Sequence, residues 1–81
     1  MTIIRRIGPD PHENGKPSRS ASGCPDILEL DNGDFVIIGE DVTEIASRCL
    51  PPTAGCGPDE RIIRIPRETL VNARKDIPAH A

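Results

Sequence analysis

The alternation of apolar and polar positions first outlines a β-hairpin. Ile27-Leu28-Glu29-Leu30 reads as a strand, Asp31-Asn32-Gly33-Asp34 as a turn, and Phe35-Val36-Ile37-Ile38 as the return strand. Asn-Gly tolerates the positive φ values that two-residue hairpin loops require. The return strand is an unbroken apolar run. That is the pattern of a strand covered on both faces, by helices or by another subunit. Pro25 suits the start of the first strand.

Gly39 breaks the return strand and Asp41 opens a helix. Asp41 with Glu44 fits a capping box, with Asp in place of Ser or Thr. Val42, Ile45, Ala46, Cys49 and Leu50 then recur on one helix face, and Pro51-Pro52 ends it. This spacing places Cys49 on a buried face. Residues 51–60 carry loop chemistry, and Cys56 sits there between two glycines, exposed or lightly covered. Arg61-Ile62-Ile63-Arg64-Ile65 reads as a third strand. Pro66 suits a first helical position, and 67–75 reads as a second helix with Leu70, Ala73 and Ile77 on one face. Met1–Ile7 is β-rich: an edge strand, a strand added to another subunit, or a frayed terminus. Gly8–Gly23 holds three prolines and three serines without apolar periodicity, the composition of a linker or flexible arm.

These elements predict an α+β fold in the order β-β-α-β-α. A small three-stranded antiparallel sheet is built from 26–30, 35–39 and 61–65, with two short helices at 42–50 and 67–75. The division expected is an N-terminal strand and flexible arm over 1–23 and a small α+β domain over 24–81. Its 81 residues suffice for one domain. Phe35 is the sole aromatic residue, so the core must be aliphatic. Aromatic platforms for single-stranded nucleic acid are absent.

Charge is segregated. The net charge is +2 over 1–23, −8 over 24–60 and +3 over 61–81. Such a chain can meet a basic partner or a second copy through complementary surfaces, or it can pair its own charges. No apolar run reaches membrane-spanning length, and Arg5-Arg6 interrupts the N-terminal apolar stretch, so neither a span nor a signal peptide is expected. A cytoplasmic location follows as the expectation, with reduced thiols.

The sequence gives little footing for catalysis. The two histidines, His12 and His80, lie in the arm and the tail, away from any nucleophile such as Cys56. Cys24, Cys49, Cys56, His12 and His80 lack the close ligand pairs of structural zinc sites. A Cys49–Cys56 disulfide would close a short loop but does not suit a reducing compartment. The acidic residues from Asp31 to Glu44 do not follow the EF-hand spacing. Arg61, Arg64, Arg67, Arg74 and Lys75 offer phosphate contacts, opposed by the acidic middle segment.

Ser18-Arg19-Ser20-Ala21-Ser22-Gly23-Cys24, Glu29, the apolar return strand, and Ile62-Ile63-Arg64-Ile65-Pro66 before a short terminal helix resemble the small actinobacterial BldB-like proteins, often encoded beside helix-turn-helix regulators. The chain lacks the Trp of their last helix and adds a helix-like segment at 41–50. The resemblance implies a small β-rich domain that acts through protein contacts, as a dimer or as a partner of the regulator. The expectation is a non-enzymatic interaction or regulatory protein, homodimeric, partnering a transcriptional regulator, with no cofactor, no metal and no direct nucleic-acid binding. Arg61, Arg64, Arg67, Arg74, Cys56, Asp59 and Glu60 are the candidate partner contacts. The alternatives are a DNA-binding module using the basic residues of 61–75, and a small metal or redox module using the three cysteines.

Overall fold

A computed structural model describes residues 1–10 and 25–81. The expected arm, His12, Cys24 and the Ser18–Cys24 motif lie wholly or largely outside the described residues. The fold is mixed α+β, as its pattern predicts. Strands β1 (Ile3–Ile7), β2 (Asp26–Leu30) and β3 (Phe35–Ile38) form an antiparallel sheet in the order β1-β2-β3. Strands β4 (Glu40–Asp41) and β5 (Ile63–Arg64) pair as a second, two-stranded sheet. Helix α1 covers Thr43–Ala46 and helix α2 covers Arg67–Ala73, running on into a 3₁₀ turn at Arg74–Asp76.

The β2–β3 hairpin forms where the apolar alternation places it. Its loop is not the two-residue type. Leu30 O accepts from Gly33 N–H at 3.0 Å, and Leu30 N–H donates to Asp34 O at 2.8 Å. Gly33 adopts φ +93°, which makes the closing residue a glycine bulge in the left-handed region. Asn32 serves by its side chain: its Oδ1 accepts the Asp34 N–H at 2.9 Å.

The third strand of the sheet differs from expectation. Residues 61–65 do not join β2–β3; Met1–Ile7 contributes β1, paired along β2 from Ile3–Leu30 to Ile7–Ile27. The N-terminal strand is therefore neither frayed nor donated to another subunit, and it belongs to the same folded unit as β2 and β3. The 61–65 segment pairs with the chain beyond Gly39 instead. Glu40 faces Arg64, Asp41 faces Ile63, and Val42 N–H donates to Ile62 O at 2.9 Å.

Helix α1 is one turn long, not the nine residues that the spacing suggests. Asp41 Oδ1 accepts the Thr43 N–H at 3.1 Å, a cap-like bond, but Glu44 does not complete the box. Ile45 is 73% exposed, so the apolar stripe finds no surface to pack on and the chain turns away by residue 47. Cys49 is consequently exposed, not buried.

Among the described residues, four apolar side chains are buried: Ile7, Ile27, Leu30 and Ala73. Ile7 and Ile27 are cross-strand partners on one sheet face, and Ala73 of α2 closes over them with Ile65 beside the cluster. Two bonds tie the C-terminal turn back to β1. Asp76 Oδ2 accepts the Gly8 N–H at 2.8 Å, and Asp76 O accepts from Arg5 Nη2 at 3.1 Å.

Candidate interaction surface

Among the described residues the sheet has two open edges, and they differ in chemistry. The β1 edge carries a register shift between Ile3 and Arg5, and Arg5 and Arg6 stand on it. A bulge and charged side chains are two standard devices against edge-to-edge pairing. The β3 edge has neither. Phe35, Val36, Ile37 and Ile38 carry no charge, and Phe35, Ile37 and Ile38 are 40%, 48% and 47% exposed. The double-sided apolar run therefore does not mark a strand enclosed by the described residues. It marks an edge strand whose apolar surface meets solvent.

Hydrogen-bonded and non-bonded pairs alternate along an antiparallel ladder. The Leu30–Asp34 pair is bonded, so Leu28–Val36 and Asp26–Ile38 are the bonded pairs that follow. Phe35 and Ile37 fall between them and turn their backbone N–H and C=O groups to the open edge. Phe35 shares a face with Glu29 and Arg5, and Ile37 with Ile27 and Ile7. The buried face of the sheet thus runs out to this edge without a polar break at Ile37.

The segregated charges close on one another within the chain. Arg5 pairs with Glu29, and Arg6 Nε lies 3.0 Å from Asp26. Arg61 lies 3.0 Å from Asp41, and Arg64 lies 2.8 Å from Glu40. Arginines of both basic ends thus clasp acids of the middle segment. Of the candidate contacts, Arg61 and Arg64 are engaged in this way, although all of these arginines remain exposed. Arg67 and Arg74 are exposed on and just after α2, some distance along the chain from the apolar edge. The structure does not gather the candidate contacts into one cluster.

Cys56, Asp59 and Glu60 belong to a turn. Gly57 O accepts the Glu60 N–H at 3.1 Å, and Glu60 Oε1 accepts the Gly57 N–H at 2.8 Å. Cys56 Sγ donates to Glu60 O at 3.2 Å and is half-buried. Glu60 is thereby occupied in holding the loop. Cys49 and Cys56 are free thiols, and among the described residues no group of three or more His, Cys, Asp or Glu side chains gathers to hold a metal.

Asp41 gathers donors from two elements. Its Oδ1 accepts from the Thr43 hydroxyl at 2.6 Å as well as from the Thr43 N–H, while Oδ2 accepts from Arg61 Nε at 3.0 Å. The Thr43 hydroxyl, then the Thr43 N–H, then Arg61, hold the Asp41 carboxyl below its ordinary pKa. Thr43 Oγ1 also accepts the Ile62 N–H at 2.7 Å. This cluster joins β4, α1 and the approach to β5. An open depression of about 480 Å³ lies between Gly8–Pro9 and Asn72, Lys75 and Asp76. Its carboxylate is that of Asp76, whose Oδ2 accepts the Gly8 N–H.

The sequence marks residues 35–38 as a strand that needs cover, yet it does not place them among the candidate contacts. The signal was present as an uncharged run of four residues; what the sequence does not reveal is that this strand lies at an edge. Comparison with family models, with curated proteins and with solved structures finds no match for the chain. Among the described residues, no helix is long and apolar enough to cross a membrane.

Proposed function

We propose that this chain is a non-enzymatic interaction protein that works as a homodimer in a regulatory role. The carrying observation is the β3 edge: an uncharged, solvent-facing apolar strand whose outward backbone groups pair with no strand among the described residues, opposite a β1 edge that carries a bulge and two arginines. A sheet this small, over so few buried side chains, gains stability from a partner that extends it. The resemblance to the BldB-like proteins supports a helix-turn-helix regulator as the further partner.

The DNA-binding alternative draws on the same basic residues that the fold sets against acids. Arg61 and Arg64 spend part of their positive potential on Asp41 and Glu40, which lowers the phosphate affinity expected of 61–75. The test is binding of the purified protein to duplex DNA over a salt series, with mass by light scattering on the same sample. Metal-free dimers without DNA binding at physiological salt agree with the proposal. A steep salt-dependent DNA affinity, lost in Arg64→Ala/Arg67→Ala, would replace it with the DNA-binding reading. Stoichiometric zinc would make the cysteines the organising site.

A further inference from the structure

We propose that two copies of the chain join their β3 strands antiparallel across a two-fold axis at Val36, making one continuous six-stranded sheet. This rests on the homodimer reading and specifies its interface. The register follows from the ladder. Phe35 and Ile37 present the outward backbone groups, so in an antiparallel pairing they must face outward-presenting residues of the other copy. Only three two-fold registers then engage the strand, centred on Phe35, Val36 or Ile37.

The register centred on Phe35 sets Gly33 against Ile37 and drives the hairpin turn into the partner strand, leaving Ile38 unmatched. The register centred on Ile37 sets Asp34 against Glu40 of the other copy, a like-charge pair directly opposite. It also needs Gly39 as a ladder residue, where an added Cβ would already lie 2.6 Å from Arg64 O. The register centred on Val36 has neither fault. It sets Phe35 against Ile37 twice and Val36 against its own copy. Aromatic and β-branched residues are favourable cross-strand partners. Phe35 and Ile37 are also the side chains on the sheet face that carries Ile7 and Ile27. The core face of one copy would therefore continue, through two aromatic–aliphatic pairs, into that of the other. The β1 edge is a poorer place for such pairing, because its bulge breaks the ladder and Arg5 and Arg6 put a charge on each of its faces.

The experiment is cysteine cross-linking in a Cys24→Ser/Cys49→Ser/Cys56→Ser background, with mass by light scattering. At a non-bonded antiparallel pair the Cα atoms stand about 4.5 Å apart, within the range of about 4.4–6.8 Å that a disulfide spans. Val36→Cys should then oxidise to a covalent dimer, and Ile37→Cys should not, because its two copies would be offset by two residues. Ile37→Lys should weaken association by about tenfold or more, equivalent to about 1.4 kcal/mol. Circular dichroism checks that each variant keeps its fold. Cross-linking through Ile37→Cys instead would overturn the register. A dimer indifferent to Ile37→Lys and uncross-linked at both positions would overturn the β3 interface while leaving the homodimer reading standing. A monomer at all concentrations, whether the edge is covered by residues 11–24 or reserved for another protein, would overturn both.

Discussion

Single residues show where this fold has least tolerance. Gly39 is the corner between the two sheets, and a Cβ there would meet Arg64 O at 2.6 Å and Ile63 Cγ2 at 2.7 Å. Gly33 has nothing within reach of an added Cβ, and its constraint is its φ of +93° alone. Gly33→Ala should therefore cost about 1–2 kcal/mol, the conformational penalty of the left-handed region. Gly39→Ala should cost more, about 2–3 kcal/mol, because packed atoms must move. Urea denaturation followed by circular dichroism compares the two. Thr43 is the polar counterpart of Gly39, since one hydroxyl accepts the Ile62 N–H and donates to Asp41. Asp41 has its pKa depressed in the fold, first by that hydroxyl. A depressed carboxyl stabilises the fold when ionised. The contribution is complete above the unfolded pKa and disappears as pH falls through the folded one. Asp41→Asn should thus flatten the acid limb of the stability profile below the ordinary carboxylate range. Thr43→Val should flatten it partly and also lower stability near neutral pH, by about 1–3 kcal/mol for the stranded Ile62 N–H. An acid limb unchanged in both variants would remove Asp41 from the account of acid stability.

At the scale of elements, α2 is held by one small residue. Ala73 is fully buried against the Ile7–Ile27 pair, while Leu70 and Val71 on the same helix are about half exposed. Ala73→Leu should destabilise by about 1–3 kcal/mol through overpacking, and Leu70→Ala should cost less than about 1 kcal/mol. Comparing their urea midpoints tests whether α2 docks through Ala73. The hairpin and the start of α2 were legible in the sequence because both are local: alternation flanking Asn-Gly, and a proline at a helix start. Strand partnership was not legible, because Met1–Ile7 and Arg61–Ile65 have similar local composition. What separates them is long-range. Arg5 and Arg6 meet Glu29 and Asp26, whereas Arg61 and Arg64 meet Asp41 and Glu40. Helix α1 is shorter than its apolar spacing suggests because periodicity supplies a stripe but not the surface it needs, as the exposed Ile45 shows. The candidate surface was half legible. An apolar run on both faces signals a missing cover, but whether that cover is internal depends on strand order.

For the whole molecule, the decisive feature is that its first strand is part of its core. The sequence divides at residue 23 by composition, yet Ile7 is buried, and Arg5 and Gly8 both bond to Asp76 near the other end of the chain. Removing residues 1–10 would strip one of the few buried apolar side chains, expose the β2 edge, and release the C-terminal turn. With so small a core among the described residues, that loss is comparable with the margin expected of a domain this size, about 0.05–0.15 kcal/mol per residue. A fragment of residues 25–81 should therefore lack a cooperative thermal transition, whereas the whole chain should show one. Adding a synthetic peptide of residues 1–10 should restore the transition in a concentration-dependent way, because a ligand that binds only the folded form stabilises it by mass action. The peptide variant Ile7→Asp should fail to do so, since it would bury an unpaired carboxylate beside Ile27 and Ala73. Should the 25–81 fragment melt cooperatively at the temperature of the whole chain, β1 would be an appendage and the compositional boundary would be the true one.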